Sequence, residues 1–129
     1  MKDFDYKVQN GKVTIIGYTG KQWRVLVPAE INGMPVVAIG DCAFQASNVT
    51  DVTLPNSIIA IGVQAFGDCH NLRSILLLEG ITTIGNGAFE YCSKLASIIL
   101  PNSLVNIGNE AFYEKTGLDR QIGRLIILD

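Results

Sequence analysis

The chain has 129 residues, of which 48% are hydrophobic and 17% are charged, and its formal net charge at pH 7 is −2. This length predicts a single domain, and the high apolar content excludes intrinsic disorder. No basic cluster is present, which argues against nucleic acid or an anionic membrane surface as a partner. The sequence contains no apolar region of a signal peptide and no run long enough for a transmembrane helix, so we expect no membrane insertion.

The first element that the sequence predicts is an N-terminal β-hairpin. Phe4, Tyr6 and Val8 alternate with polar side chains, as do Val13 and Ile15, and the Asn10-Gly11 pair between them favours a tight turn. We expect this hairpin, within residues 1–22, to cover the open edge of the element that follows. Trp23 comes next, and we expect it to pack beneath the hairpin because large aromatic side chains are mostly buried.

A repeat occupies residues 23–118. The dipeptide Ala-Phe occurs four times, each time shortly after an Ile-Gly pair, and the steps between its phenylalanines are 22, 23 and 23 residues. These phenylalanines are Phe44, Phe66, Phe89 and Phe112. A fixed period of this length predicts a solenoid, in which each unit buries its apolar face against its neighbours. We therefore expect the four rings to stack in the core.

Each repeat unit contains signals for a short strand and for a turn. The segments Ile75–Leu77 and Ile98–Leu100 alternate with a period of two, which predicts a strand in each unit. The glycine of each Ile-Gly pair predicts either a positive φ or a close approach of two backbones. Asp41, Asn86 and Asn109 follow that glycine in three units, and we expect them to cap a short helical turn that carries Ala-Phe.

The last segment, residues 119–129, is predicted to be a terminal strand of the single domain 1–129. Leu125–Leu128 is entirely apolar, and no polar cap follows it. An uncovered apolar edge strand favours pairing with another strand. We therefore expect either that the array belongs to a longer chain or that this strand pairs with a second copy in a homodimer.

Two cysteines, Cys69 and Cys92, occupy the same position in consecutive units. Neighbouring strands lie about 4.8 Å apart, so a disulfide between them is geometrically feasible, although two buried thiols in an apolar ladder are favoured. The only histidine, His70, adjoins Cys69, but no third group is placed to orient such a pair for catalysis. The spacing also matches no zinc site. We therefore predict no catalytic residue, no metal site and no cofactor.

The combined pattern Ile-Gly-x-x-Ala-Phe-x-x-Cys-x-x-Leu-x-x-Ile-x-Leu-Pro-x-Ser resembles the BspA-like leucine-rich repeats of bacterial surface proteins, most clearly from Ile61 to Ser103. The resemblance implies an α/β-type repeat solenoid with a parallel β-sheet on its concave face, short helical or 3-10 turns on the other side, and the hairpin as an N-terminal cap. It also implies a protein at the cell surface or secreted, with an adhesin-like role toward host or microbial surface proteins. The family offers no catalytic residues to transfer.

The repeat leaves one column of residues free of the core. In each predicted strand the middle residue points away from the core, and stacking the units aligns these residues. We call this set the outward column: Leu26, Thr53, Leu76, Ile99 and Ile127. Two interpretations fit a mostly aliphatic column that faces solvent. It is an interaction site, or it reflects only the preference of strands for branched and aliphatic side chains.

We therefore hypothesise that the chain is a non-enzymatic, protein-binding leucine-rich repeat module. Its candidate binding residues are Leu26, Leu76 and Ile99, with Asp51, Arg73 and Arg24 at the rim. The alternative is a self-associating scaffold fragment of a larger bacterial surface protein, with no separate activity.

Overall fold

The computed structural model describes residues 3–112, which form ten short β-strands. In chain order they are β1 (Phe4–Gln9), β2 (Lys12–Tyr18), β3 (Arg24–Leu26), β4 (Glu30–Ile31), β5 (Met34–Ile39), β6 (Asp51–Thr53), β7 (Ala60–Ile61), β8 (Ser74–Ile75), β9 (Thr83–Ile84) and β10 (Asn106–Ile107). A long sheet has the order β1-β2-β5-β7-β9-β10, with β4 paired to β5, and a three-stranded sheet has the order β3-β6-β8. The predicted terminal strand, Leu125–Leu128, lies outside the described residues.

Residues 3–112 form a β-solenoid whose successive coils stack parallel strands into two sheets. The three-stranded sheet is the one predicted from the Ile-x-Leu pattern, and its strands pair in parallel with Val25 beside Val52 and Val52 beside Ile75. The prediction of a further strand at Ile98–Leu100 is wrong, since no strand forms there and this sheet ends at β8. The long sheet grows in the same way, with Ile39 beside Ile61 and Ile61 beside Ile84. The repeat motif therefore builds two parallel sheets, where its strand pattern alone indicates one.

The N-terminal hairpin is present and extends the long sheet. β1 and β2 are antiparallel from Phe4 beside Tyr18 to Gln9 beside Lys12, and the turn between them places Asn10 and Gly11 at positive φ. This two-residue turn matches the right-handed twist of the flanking strands. β2 then pairs in parallel with β5 of the first coil, so the hairpin covers the edge of the array.

The core is a column of stacked aromatic rings, as the Phe period predicts. Successive ring centroids are 5.0, 5.3 and 5.5 Å apart, and the rings are within 14° of parallel. The rings belong to Phe44, Phe66, Phe89 and Phe112. The hairpin continues this column, because Tyr18 lies 5.4 Å from Phe44 and Phe4 lies 5.4 Å from Tyr18. The stack thus ties the hairpin to the repeats.

The prediction of helical or 3-10 turns is wrong for residues 3–112, which contain no helix. In the first Ala-Phe turn only every second N–H bonds back within the turn, as that of Ala43 does. Cys42 N–H instead donates to Val63 O at 2.9 Å, and Phe44 N–H donates to Ala65 O at 2.7 Å, both in the next coil. Cys42 has φ +59°, which interrupts the right-handed backbone that a helix needs. Hydrogen bonds between coils replace those of a helix.

The residues around the Ile-Gly pairs serve the same stacking. None of these glycines has positive φ, but a Cβ built on Gly85 would lie only 2.6 Å from Val63 N, so close backbone approach is the reason for the glycine. The predicted helix caps are wrong. Asp41 Oδ1 accepts a hydrogen bond from Val63 N–H at 2.8 Å, and Asn86 Oδ1 accepts one from Asn109 N–H at 2.8 Å, each in the following coil.

Candidate protein-binding face

The side of the solenoid that carries the three-stranded sheet presents the described members of the outward column to solvent. The register of β3 and β6 sets Leu26 beside Thr53, and the register of β6 and β8 places Leu76 next in the row. The exposed fractions are 73% for Leu26, 58% for Leu76 and 53% for Ile99. Ile127, the last predicted member, lies outside the described residues. The period of two therefore identified the side chains that point away from the core in this part of the chain.

The three charged residues predicted at the rim meet at one point of this sheet. Arg24 Nε lies 3.7 Å from Asp51 Oδ2, and Arg73 Nη2 lies 3.3 Å from the same oxygen. Arg73 Nε also donates to Asp51 Oδ1 at 3.4 Å, and Thr50 Oγ1 donates to Oδ2 at 2.9 Å. These hydrogen bonds, from Thr50 first and Arg73 second, lower the pKa of the Asp51 carboxyl. Two guanidinium groups therefore share one ionised carboxylate.

Trp23 does not pack beneath the hairpin, as the sequence had led us to expect, but is 67% exposed. The aromatic ring that packs between the hairpin and the first repeat is that of Tyr18, at the end of β2, which lies between Phe4 and Phe44. The Tyr18 hydroxyl accepts a hydrogen bond from Gln22 N–H at 3.0 Å. Trp23 O accepts the N–H of Thr50 at 2.8 Å, and Thr50 O accepts that of Arg73 at 2.9 Å. Trp23 therefore begins a row that continues through Thr50 and Arg73.

The repeat register contained a signal for this exposure. Trp23, Thr50 and Arg73 each stand two residues before the inward-facing residue of their strand. Two of the three are polar, which indicates a position open to solvent. The average burial of tryptophan was thus a poorer guide than the position of Trp23 in the repeat.

Three open concavities adjoin the Trp23 side chain. The largest, about 560 Å³, is lined by Lys21, Gln22, Trp23, Arg24, Thr50 and Arg73. We call this lining set the Trp23 site. A second concavity of about 450 Å³ brings in Asn48 and Asn71, and a third of about 280 Å³ reaches the first Ala-Phe turn. An exposed indole next to concave, partly polar surface is typical of binding sites that bury one aromatic anchor.

Exposed aliphatic side chains also occur on the long sheet. Ile59 is 49% exposed and Val105 is 75% exposed. They lie in one row with Thr82 between them, because Thr82 N–H donates to Ile59 O at 2.9 Å and Val105 N–H donates to Thr82 O at 2.8 Å. Aliphatic exposure alone therefore does not single out one face. The three-stranded sheet is distinguished by having the Asp51 ion cluster and Trp23 beside its aliphatic row.

The two repeat-equivalent cysteines are buried structural residues. Cys69 and Cys92 are free thiols with no exposed surface; Cys69 Sγ donates to Phe44 O at 3.0 Å, and Cys92 makes the equivalent bond at 3.1 Å. Burial raises the pKa of Cys69 to about 12 and raises that of Cys92 as well, so both stay protonated at neutral pH. His70 is exposed. Within residues 3–112 no group of three His, Cys, Asp or Glu side chains is arranged for a metal ion, and no helix could span a bilayer.

Comparisons with known proteins agree on the architecture. Residues 36–122 match the BspA type leucine rich repeat region, in six copies. A leucine rich repeat protein of T. pallidum superposes with a TM-score of 0.87 at 35% identity, over 90% of this chain and 56% of its own. A leucine-rich repeat protein from Bacteroides capillosus ATCC 29799 gives a TM-score of 0.77 at 31% identity, covering 83% of this chain and 84% of its own.

A third solved structure is of a protein described as a cell surface protein. A leucine rich cell surface protein from Faecalibacterium prausnitzii A2-165 gives a TM-score of 0.78 at 29% identity, over 87% of this chain. This chain spans only 32% of that protein and 56% of the T. pallidum protein. No curated protein matches the sequence.

Proposed function

Because this chain belongs to the BspA type of leucine-rich repeat proteins, we propose that it is a non-enzymatic protein-binding module whose binding face is the three-stranded sheet. The outward column carries the proposal. Leu26 at the end of β3, Leu76 directly after β8 and Ile99 at the equivalent position of the next unit are each more than half exposed. Single exposed aliphatic side chains are common, whereas aligned ones favour a partner. Solenoids generally offer such extended faces for binding.

The rim residues add selectivity to this face. Arg24, Asp51 and Arg73 form a charged group at the start of the strands that bear Leu26 and Leu76. Charges beside an apolar contact area steer a partner toward it and penalise partners of the wrong sign. We therefore assign the aliphatic row most of the contact area and the charged group the choice of partner.

We further propose that the module acts at the cell surface or after secretion, with an adhesin-like role toward a host or microbial surface protein. The F. prausnitzii relative, described as a cell surface protein, supports this location. A repeat face that varies in its outward residues and keeps its stacked core suits such a role, because the surface changes without cost to the fold.

A paired substitution experiment tests the binding face. Wild-type protein, the double variant Leu76→Ser with Ile99→Ser, and the control variant Ile59→Ser with Val105→Ser are applied to an array of host-matrix and bacterial surface proteins. The control makes the same kind of change on the long sheet, where both residues are also exposed. We expect a ligand that retains wild-type and control protein but loses the Leu76/Ile99 variant by at least about tenfold in Kd. Equal retention of all three proteins would contradict the proposal. It would favour the interpretation that the aliphatic outward column reflects only the residue preferences of strands.

The alternative is that the chain is a self-associating scaffold segment of a larger surface protein. It is supported by the T. pallidum and F. prausnitzii relatives, in which the matching region is only 56% and 32% of the chain. Pairing through Leu125–Leu128 in a homodimer is part of this alternative. Light scattering over a range of concentrations separates the two, since a monomer at all concentrations excludes a stable dimer.

A further inference from the structure

We propose that the Trp23 site anchors an extended, carboxylate-bearing segment of the protein partner, with an apolar contact on the indole of Trp23 and ion pairs to Arg24 and Arg73. This inference rests on the proposed function, because it names the chemistry of the partner that the same sheet would bind. It goes further in placing the anchor at one end of the strands, beside the aliphatic row.

The indole is the first reason for placing the anchor here. Trp23 is 67% exposed although tryptophan buries more surface than any other side chain when a partner covers it. Its backbone is fixed to the second coil, since Trp23 O accepts the N–H groups of both Thr50 and Asp51. A large side chain on a fixed backbone loses little entropy on binding, which is the property of an interface anchor.

An excess of positive charge is the second reason. Arg24 and Arg73 both point toward Asp51, and their side chains are 79% and 58% exposed. Each guanidinium has five N–H donors, and one carboxylate accepts too few hydrogen bonds to use all ten. Lys21 adds a third positive charge to the lining. The Trp23 site therefore carries three cations, with Asp51 as the one anion beside it, and planar guanidinium forks match an incoming carboxylate.

The distribution of charge over the described residues points the same way. Residues 3–112 contain six Lys and Arg residues, and four of them lie at this end of the three-stranded sheet: Lys21, Arg24, Arg73 and Lys94. Lys94 is included because it occupies the repeat position of Asn71. The Ala-Phe turns instead carry acidic residues, namely Asp41, Asp68, Glu90 and Glu110. A chain with a net charge of −2 thus has a basic end on its sheet, which attracts an acidic partner in the orientation that binding needs.

The neighbouring surface favours a protein segment over an acidic polysaccharide. Leu26 follows Arg24 at two residues' distance on the same face of β3 and is 73% exposed. Polysaccharides carry carboxylates and stack on indoles, but they have no aliphatic side chains for Leu26 and Leu76 to cover. An extended peptide with an acidic and an aliphatic residue two positions apart satisfies both, because side chains at positions i and i+2 of an extended chain lie on the same face, as Arg24 and Leu26 do on β3.

Intrinsic fluorescence gives a direct test, because Trp23 is the only tryptophan in the chain. An unlabelled peptide of repeated Glu-Ser-Leu-Ser units, which places Glu and Leu on the same face when extended, and a matched peptide with Gln in place of each Glu are titrated into the full chain. We expect the acidic peptide to change the Trp23 emission saturably, and the Gln peptide to bind at least about tenfold more weakly. Raising the salt concentration to about 0.5 M should lower the affinity for the acidic peptide, since salt screens exposed ion pairs.

Two charge variants locate the site. Arg24→Gln with Arg73→Gln removes two positive charges at the Trp23 site, and Lys7→Gln with Lys12→Gln removes two on the hairpin. Both pairs are exposed, so both variants should fold, and melting curves verify this. We expect a loss of at least about tenfold in affinity for the first variant and less than about twofold for the second. Equal losses would overturn the inference, since they would indicate attraction to net charge alone.

The other outcomes are equally decisive. Equal binding of the Glu and Gln peptides, or no binding of the acidic peptide, overturns the inference. Tighter binding of polygalacturonate, with the same dependence on Arg24 and Arg73, replaces the protein segment by an acidic glycan. If Leu76→Ser with Ile99→Ser weakens an array ligand while Arg24→Gln with Arg73→Gln does not, the proposed binding face stands and only this inference fails. If instead Arg24→Gln with Arg73→Gln weakens binding while Leu76→Ser with Ile99→Ser does not, the Trp23 site stands and the outward column is rejected as the binding face.

Discussion

The Ala-Phe turns and the three-stranded sheet come from the same repeat, yet they use their residues in opposite ways. In the turn, Phe66 is fully buried, its N–H donates to Ala88 O at 2.8 Å, and its carbonyl accepts the thiol of Cys92 at 3.1 Å. In the sheet, Ile75 is buried but the next residue, Leu76, is 58% exposed. The repeated motif positions therefore describe the stacking of coils, and the positions between them are where a function can differ from one repeat protein to another.

The largest difference between the two regions should be in stability. Phe66→Ala removes a ring that stacks between Phe44 and Phe89 at 5.0 and 5.3 Å, and we expect it to lower the free energy of unfolding by about 3–5 kcal/mol. Leu76→Ala, on the sheet, should cost less than about 1 kcal/mol because its side chain is mostly in water. Urea unfolding followed by circular dichroism measures both. Similar losses for the two variants would show that Leu76 is part of the core.

A smaller effect is expected at the glycines, and it separates two reasons for having one. Gly85→Ala places a Cβ 2.6 Å from Val63 N, which is a backbone atom and cannot move away as a flexible side chain can. We therefore expect a loss of about 3 kcal/mol in the free energy of unfolding. Gly33 has φ +80° and open space around its Cβ position, so Gly33→Ala should cost only about 1 kcal/mol.

Asparagine distinguishes these two glycines further. Asn accepts a left-handed backbone more readily than Ala, so Gly33→Asn should recover part of the loss, whereas Gly85→Asn should be at least as harmful as Gly85→Ala. Thermal unfolding of the four variants provides the comparison. Recovery by Asn at Gly85 would mean that a strained φ, and not crowding between coils, explains that glycine.

The fold was predictable where one physical requirement governs the sequence. Stacking of identical units requires an apolar ladder, so the spacing of Phe44, Phe66 and Phe89 predicted the core correctly. The turns were not predictable, because Asp41 has the same local preference for a helix cap as for a bond to Val63 in the next coil. The choice between a helix cap and a bond to the next coil depends on the stacking of the coils, and in the structure Asp41 bonds to the next coil.

The candidate site shows the same division. The period of two identified Leu26, Leu76 and Ile99 as exposed, since each directly follows a buried residue of its unit, and this alternation continues at Ile99 although no strand forms there. Trp23 was missed because it lies before the strand, where alternation no longer holds and composition suggests burial. The predicted partner roles of these residues, and the homodimer through Leu125–Leu128, remain predictions.

The smallest expected effect concerns the thiols of the Ala-Phe turns, some of which are exposed and some buried. Cys42 is exposed, whereas Cys69 is buried, with a pKa raised to about 12 by burial. Only the thiolate reacts with a disulfide reagent, so a raised pKa keeps Cys69 protonated and unreactive up to pH 9 or so. At pH 8 the disulfide reagent should therefore react rapidly with one thiol of the native protein. It should react with no thiol of the Cys42→Ser variant until urea unfolds that variant.

The hydrogen bond from the Cys69 thiol makes a further difference between the two cysteines. Cys69→Ala removes the Sγ–H donor that lies 3.0 Å from Phe44 O, but that carbonyl keeps the N–H of Ser47 at 3.0 Å, so it is not left unpaired. We therefore expect a loss of only about 1 kcal/mol in the free energy of unfolding, and none for Cys42→Ala. A loss near that of Phe66→Ala would show instead that the volume of the thiol, and not its hydrogen bond, is what the turn requires.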